Sequence, residues 1–124
     1  MSTRAEAALE SGWALEGTDG AGQPLRLVFG DTELSRAYLG VAIGRHGALC
    51  ERVIEDGTVS RRHLRVGAAE GRLFVEDLNS LNGTLVDGAP IRCFEPMPVE
   101  PGQMLTLGRV NLTIARLADR GGGR

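Results

Sequence analysis

Apolar and polar residues alternate along most of this chain with a period close to two. In "PLRLVF", Leu25, Leu27 and Phe29 share a face, and in "HLRV", Leu64 and Val66 flank Arg65. In "RLFVEDL", Leu73 and Val75 alternate with Phe74 and Glu76, and in "RVNLTIARL", Val110, Leu112 and Ile114 alternate with Asn111, Thr113 and Ala115. Successive side chains of a strand point to opposite faces, so these runs predict strands with one face inward and one outward. Turn-forming clusters ("TDGAGQP", "AAEG", "LNG", "VDGAP", "EPG", "LGR") separate them at short intervals. Asp87-Gly88 suits a tight hairpin, because such a turn needs positive φ, which glycine adopts without steric cost. Helical character is confined to the first dozen residues, where Ala5, Ala7, Ala8 and Leu9 lie among charges. That piece is too short to be stable alone and is expected to be a frayed arm or a single docking turn. There is no βαβ alternation and no internal repeat. Many short strands, with 5 prolines and 18 glycines for turns, predict an antiparallel β-sandwich.

The 124 residues fit one domain, with about a dozen left over at each end. Hydrophobic residues make up 42%, enough for one core, but aromatics only 4%, so Leu, Val, Ile and Ala must fill it. The formal net charge of -2 gives no general attraction to nucleic acid or to an anionic membrane. All 14 basic residues are arginine. The lack of lysine excludes a Schiff base, a P-loop GK[ST] and a Ser–Lys dyad. Cys50 and Cys93 stand far apart with no C-x-x-C, and are expected to be reduced thiols, one or both packed in the core. "MSTRAEAALES" has no apolar run long enough for a signal peptide, and no segment reaches membrane-spanning length. The expected setting is therefore a reducing cytoplasm, where the sequons at Asn82 and Asn111 carry no role.

On a β-sandwich, binding groups concentrate in the loops. Three loops carry more polar detail than a turn requires. "AIGRHG" runs a strand into Gly44-Arg45-His46-Gly47; "DGTVSRRH" ends in Ser60, Arg61, Arg62 and His63; "DLNSLNGT" covers residues 77 to 84. Ser60 and His63 raise the question of a catalytic pair. No carboxylate stands at an interpretable spacing to orient His63 and there is no thiolate partner, so the chain is expected not to be an enzyme. No metal or cofactor is expected either. The same groups suit an anion site. Guanidinium is planar, permanently charged and able to make paired hydrogen bonds to phosphate oxygens. A serine hydroxyl and backbone N–H groups can take the remaining oxygens, and an asparagine amide can clamp an extended peptide main chain. Arranged on three loops, they would read a phosphorylated side chain on a strand-like peptide. The plainer reading makes Arg45 a solvated strand-end residue and Asn82-Gly83 a positive-φ turn. Arg62 and Arg65 are expected to be solvated surface charges, Trp13 a core or rim residue, and Met97 loop packing.

Gly44-Arg45, Ser60-Arg61-Arg62-His63 and Ser80-Leu81-Asn82-Gly83-Thr84, in that order and spacing, resemble the forkhead-associated (FHA) domain family. The resemblance runs over residues 38–114 and includes "VEDLNSLNGTLVDG" and "GQMLTLG". It implies an all-β, FHA-like (SMAD/FHA) sandwich of about eleven mostly antiparallel strands over residues 12–117, with a short flexible or helical N-terminal arm at 1–11 and a flexible tail at 118–124. It further implies a module that binds phosphothreonine peptides with the loops at one end. By the same resemblance Arg45 is the main phosphate ligand, Ser60 adds a hydroxyl contact, Asn82 bonds the peptide backbone, and Arg61 contacts peptide or phosphate. Gly44 permits a close backbone approach, His63 braces the Ser60 loop, and Gly83 and Thr84 complete the architecture.

This sequence departs from the family pattern at three places. Leu81 stands where threonine is common and would shape the pocket around the phosphothreonine methyl. His46 follows the key arginine where a small polar residue is usual, and would be an accessory phosphate contact when protonated. Arg52, in "CERVI", is foreign to the pattern. The partners implied are a phosphothreonine-containing protein, a Ser/Thr kinase or its substrate, bound by a monomeric bacterial protein, with Thr3 a candidate self-binding phosphosite. The alternative is a structural FHA-like assembly domain, of the secretion-system type, that binds its partner without phosphate. Retention of Arg45, Ser60 and Asn82 together favours the first.

Overall fold

The alternating runs close into two facing sheets in the structure, a computed structural model that describes residues 10–36 and 40–118. In chain order the elements are β1 (Gly12–Thr18), β2 (Pro24–Gly30), α1 (Asp31–Arg36), β3 (Val41–Gly44), β4 (Arg52–Val53) and β5 (Leu64–Ala69). They continue with β6 (Arg72–Asp77), β7 (Thr84–Val86), β8 (Ala89–Pro90), β9 (Met97–Val99), β10 (Met104–Leu107) and β11 (Val110–Leu117). One sheet has the order β2-β1-β11-β10-β7-β8, the other β4-β3-β5-β6-β9. Neighbours are antiparallel except β3 and β4, which run parallel. The expected all-β sandwich of eleven mostly antiparallel strands is the fold observed.

The alternation decides which residues meet between the sheets. Leu15 on β1 lies opposite Leu27 on β2 and Ile114 on β11, and all three are buried. Leu64, Val66, Leu73 and Val75 fill the same layer from the second sheet. Burying side chains of this size stabilises the fold by about 1.5–3 kcal/mol each. Trp13 joins this core. The Asp87-Gly88 turn between β7 and β8 has φ of 50° and 83°, the two positive values that such a hairpin requires.

The structure corrects three expectations. A short helix, α1, follows β2 where only sheet was foreseen; Leu34 anchors it in the core, and Asp31 and Glu33 stand in its first turn. A single turn has too little periodicity to register in the sequence. Neither cysteine is buried: Cys50 is half-exposed, and Cys93 is exposed in the connection after β8, outside the layer that Leu, Val and Ile already fill. Met97 belongs to strand β9, paired with Val75, rather than to a loop. Residues 1–9 of the expected flexible or helical arm, Thr3 among them, and residues 119–124 of the tail lie outside the described residues. Among the described residues, no helix is long and apolar enough to cross a membrane.

Two arginines fasten α1 to the sheets. Arg116 of β11 donates to both carboxylate oxygens of Asp31, at 2.8 and 2.9 Å, and to the Gly12 carbonyl, with its guanidinium 4.8 Å from the centre of the Trp13 ring. The hydrogen bond from Arg116 holds the Asp31 carboxyl below its usual range. Arg52, the residue foreign to the family pattern, donates to Glu33 and to the Val28 carbonyl and lies 4.9 Å from the Phe29 ring centre. It therefore braces β2 and α1 against β4.

Candidate anion-binding site at the loop end

The connections after β1, β3, β4, β6 and β10 gather at one end of the sandwich. Asp56 ties three of them together. Its carboxylate accepts the Gly20 N–H at 2.7 Å and the Thr58 N–H and hydroxyl at 2.9 and 2.5 Å, while the Thr58 hydroxyl oxygen accepts the Arg109 N–H at 2.8 Å. The Thr58 hydrogen bonds hold the Asp56 carboxyl below its ordinary range. Sequence reasoning missed this role, although Asp-Gly-Thr is a sequence in which aspartate often bonds the backbone two residues on.

Gly44 ends β3 against the Ser60 loop. A Cβ there would stand 2.1 Å from the Arg61 carbonyl oxygen, so only glycine allows the approach. Past it the backbones stay paired, with the Arg45 N–H donating to the Ser60 carbonyl at 2.9 Å and the His46 N–H to the Arg61 carbonyl at 3.2 Å. Arg45 Nε donates to the Val59 carbonyl at 2.9 Å. That bond fixes the side chain and leaves its terminal N–H groups for another acceptor.

Ser60 is held from two sides. Its N–H donates to His63 Nδ1 at 3.1 Å, and its Oγ accepts the Leu81 N–H at 2.9 Å. Since Oγ accepts that bond, its own proton remains to be donated elsewhere. His63 is fully buried, and its Nε2 donates to the Gly83 carbonyl at 2.9 Å. Nδ1 accepts and Nε2 donates, which assigns the neutral tautomer. Burial pushes the imidazole pKa down, against the opposing pull of Gly83 and Asp77.

Asp77 is a second group that sequence reasoning failed to find. Its Oδ1 lies 3.9 Å from His63 Nε2, although no spacing in the chain suggested a carboxylate there. It accepts from Ser80 Oγ, Ser80 N–H and Thr84 Oγ1 at 2.6, 3.0 and 2.7 Å. Burial pushes its pKa up, but these hydrogen bonds prevail and hold it below the usual carboxylate range. The carboxylate is thus spent on shaping residues 77–84. His63 bonds the Ser60 backbone rather than its hydroxyl, so the two are not arranged as nucleophile and base.

Asn82 donates from Nδ2 to the Thr58 carbonyl at 2.8 Å, keeping its carbonyl oxygen and second N–H unspent. Leu81 is 89% exposed beside it, and Gly83 has the positive φ of 80° that the turn needs.

These segments enclose an open cavity of about 320 Å³ lined by Arg45, Gly57, Thr58, Val59, Ser60, Arg61, Arg62, Leu81 and Asn82. The structure therefore brings together Arg45, Ser60, Arg61, Leu81 and Asn82, with Gly44, His63, Gly83 and Thr84 behind them. His46 is not in the lining; its Nδ1 accepts the Ala48 N–H at 3.2 Å. Arg62, expected as a plain surface charge, lines the cavity. Among the described residues no ion pair engages Arg45, Arg61 or Arg62, nor Arg36, Arg92 or Arg109 outside the cavity, whereas Arg26, Arg52, Arg65, Arg72 and Arg116 each face a carboxylate. No cluster of three or more metal-ligating side chains is present among the described residues.

The FHA domain family model matches residues 41–108. The fold is similar to the kinase-interacting FHA domain of the kinase-associated protein phosphatase KAPP of Arabidopsis, at 24% identity and a TM-score of 0.71, covering 88% of this chain and 97% of that one. It is also similar to the FhaA FHA domain solved with the intracellular domain of Rv3910, at 28% identity and a TM-score of 0.60, covering 82% and 98%. A third similar structure comes from work on phosphothreonine-dependent FHA domain interactions, at 28% identity and a TM-score of 0.62, covering 84% and 95%. No curated protein sequence matches the chain significantly.

Proposed function

The chain belongs to the FHA domain family, and from that membership we propose that it recognises phosphothreonine in an extended segment of a partner protein. The carrying observation is the meeting of Arg45, Arg61 and Arg62 with the Ser60 hydroxyl and the Asn82 amide around one cavity that no carboxylate of the described residues lines. A phosphomonoester carries about -1.5 to -2 charges and three strong acceptor oxygens. The terminal N–H groups of Arg45 suit two of those oxygens, the Ser60 hydroxyl donates to the third, and Arg61 adds charge from the same wall. Asn82, with one donor and its carbonyl unspent, bonds the peptide main chain next to the phosphorylated residue. Leu81 offers an apolar surface to the threonine methyl. A methyl in a fitted pocket is worth about 1–3 kcal/mol, which sets the preference over phosphoserine.

The partner is proposed to be a Ser/Thr kinase or one of its substrates. The solved FHA domain studied for phosphothreonine-dependent interactions, at 28% identity, supports the ligand. The FhaA domain solved with an intracellular domain supports a protein partner. Because the site stays open to solvent, affinity should be about micromolar, or about -8 kcal/mol. The test is a peptide array in which each sequence appears with phosphothreonine, phosphoserine and unmodified threonine. The reading expects binding to phosphothreonine copies above phosphoserine copies and none to the unmodified ones. Equal capture of unmodified copies would overturn it in favour of phosphate-independent assembly.

A further inference from the structure

We propose that this rim reads two anions, a phosphothreonine and, beside it in the same partner segment, a second anionic side chain engaged by Arg62. The proposal deepens the phosphothreonine reading and rests on it. Three guanidiniums line one cavity, yet a single phosphate of about -1.5 to -2 charges balances only two of them. Arg45 and Ser60 hold the phosphate, and Arg61, next to Ser60, supplies the second charge. Arg62 is left over.

No carboxylate of the chain takes up that charge among the described residues. Asp56, on the same connection, is spent on Thr58 and Gly20. Glu51 accepts the Ala42 N–H at 2.7 Å, facing β3. Glu55 pairs with none of the three arginines. Nor is Arg62 carried on a loose segment. The carbonyl of the preceding Arg61 accepts both the His46 N–H and the Cys50 thiol, and the imidazole of the following His63 is buried between Ser60 and Gly83. A fixed backbone thus presents an unmatched guanidinium, and like charges gathered in one concavity raise the potential that draws anions to it. The shared ligand chemistry is an anion on a neighbouring side chain, which an acidic residue or a second phosphorylated residue can supply.

The experiment titrates the full chain by fluorescence anisotropy with phosphothreonine peptides on one neutral scaffold. In one arm an aspartate is walked through the flanking positions; in the other a phosphoserine is. We expect at least one aspartate position to tighten binding about threefold to fivefold, and phosphoserine there to tighten it further, with both gains shrinking at high salt. In Arg62→Gln the ratio of second-anion to neutral-flank affinity should fall close to one. Arg72→Gln, which removes the same charge from β6, should leave the ratio intact. A gain from phosphoserine alone would identify a doubly phosphorylated segment as the ligand. If no position gains, or the gain survives Arg62→Gln while the neutral-flank peptide still binds, the second-anion proposal is wrong and the phosphothreonine reading stands. If no phosphopeptide binds at all, both fall.

Discussion

Arg116 sits near the end of β11 and Arg45 just past the end of β3, in one small sandwich, yet their surroundings are opposite. Arg116 has two bonds to Asp31, one to the Gly12 carbonyl, and the face of Trp13. Arg52 is similarly spent on Glu33, Val28 and Phe29. At the rim, Arg45 makes one fixing bond to the Val59 carbonyl, and neither it nor Arg61 nor Arg62 has an acidic partner among the described residues. The wall arginines complete their charge balance inside the fold; those at the rim leave theirs incomplete. A guanidinium satisfied by its own chain contributes to folding, whereas one that is positioned but unsatisfied is available to a ligand. Residue type does not separate the two populations. The placement of carboxylates does.

Substitutions should therefore separate binding from stability. The largest effect is expected for Arg45→Ala, which should cost about 2–5 kcal/mol of phosphopeptide affinity by calorimetric titration. Its stability loss should be no more than one hydrogen bond's contribution, about 0.5–1.5 kcal/mol. Gly44→Ala comes next, because its Cβ would stand 2.1 Å from the Arg61 carbonyl oxygen and 2.8 Å from the Cys50 sulfur. Overpacking of this kind costs about 1–3 kcal/mol in denaturant melts, and here it should weaken binding as well, since the displaced backbone carries Ser60 and Arg61.

A smaller effect concerns pH. Burial lowers the folded pKa of His63 below the unfolded value of about 6.5. The unfolded chain then takes up the proton first, so this contribution is whole above about pH 6.5 and is lost as pH falls below it. The slope cannot exceed about 1.4 kcal/mol per pH unit for one group. Asp31, Asp56 and Asp77 have lowered pKa values and act in a separate window, their contributions being whole above about pH 4 and lost below it. Melting curves in small pH steps should resolve the two falls, and a flat profile between about pH 6.5 and 5 would contradict the His63 assignment. The smallest effect is expected for Arg116→Ala, about 1 kcal/mol of stability from a half-exposed ion pair and ring contact. Phosphopeptide affinity should not change, and a parallel loss of affinity would erase the distinction between wall and rim.

Much of the fold was legible because its signal is local. Leu64, Val66, Leu73 and Val75 are buried as their alternation required, and Asp87-Gly88 makes the turn its residue types demand. Part of the cavity lining was legible as well, since Arg45, Ser60, Arg61, Leu81 and Asn82 fall in three recognisable motifs. Apart from the local Asp56–Thr58 turn, most of what stayed hidden depends on contacts distant in the chain. Asp77 reads as the end of a strand, and only folding sets it near His63. Arg52 seemed foreign because Glu33 and Phe29, which employ it, precede it by about twenty residues. Arg62 could not be told from Arg65 in the sequence. The structure gives Arg65 a carboxylate, Glu76, and sets Arg62 on the cavity.

The most direct test is a 1H–15N correlation titration of the labelled chain with a phosphothreonine peptide and its unphosphorylated twin. The account predicts saturable shifts with the phosphopeptide alone, centred on the amides of Arg45, Ser60, Arg61, Leu81 and Asn82 and on the Arg45 side-chain Nε–H, with the amide of Arg116 unmoved. Shifts centred on the Arg116–Asp31 wall, or equal shifts with the unphosphorylated peptide, would contradict it.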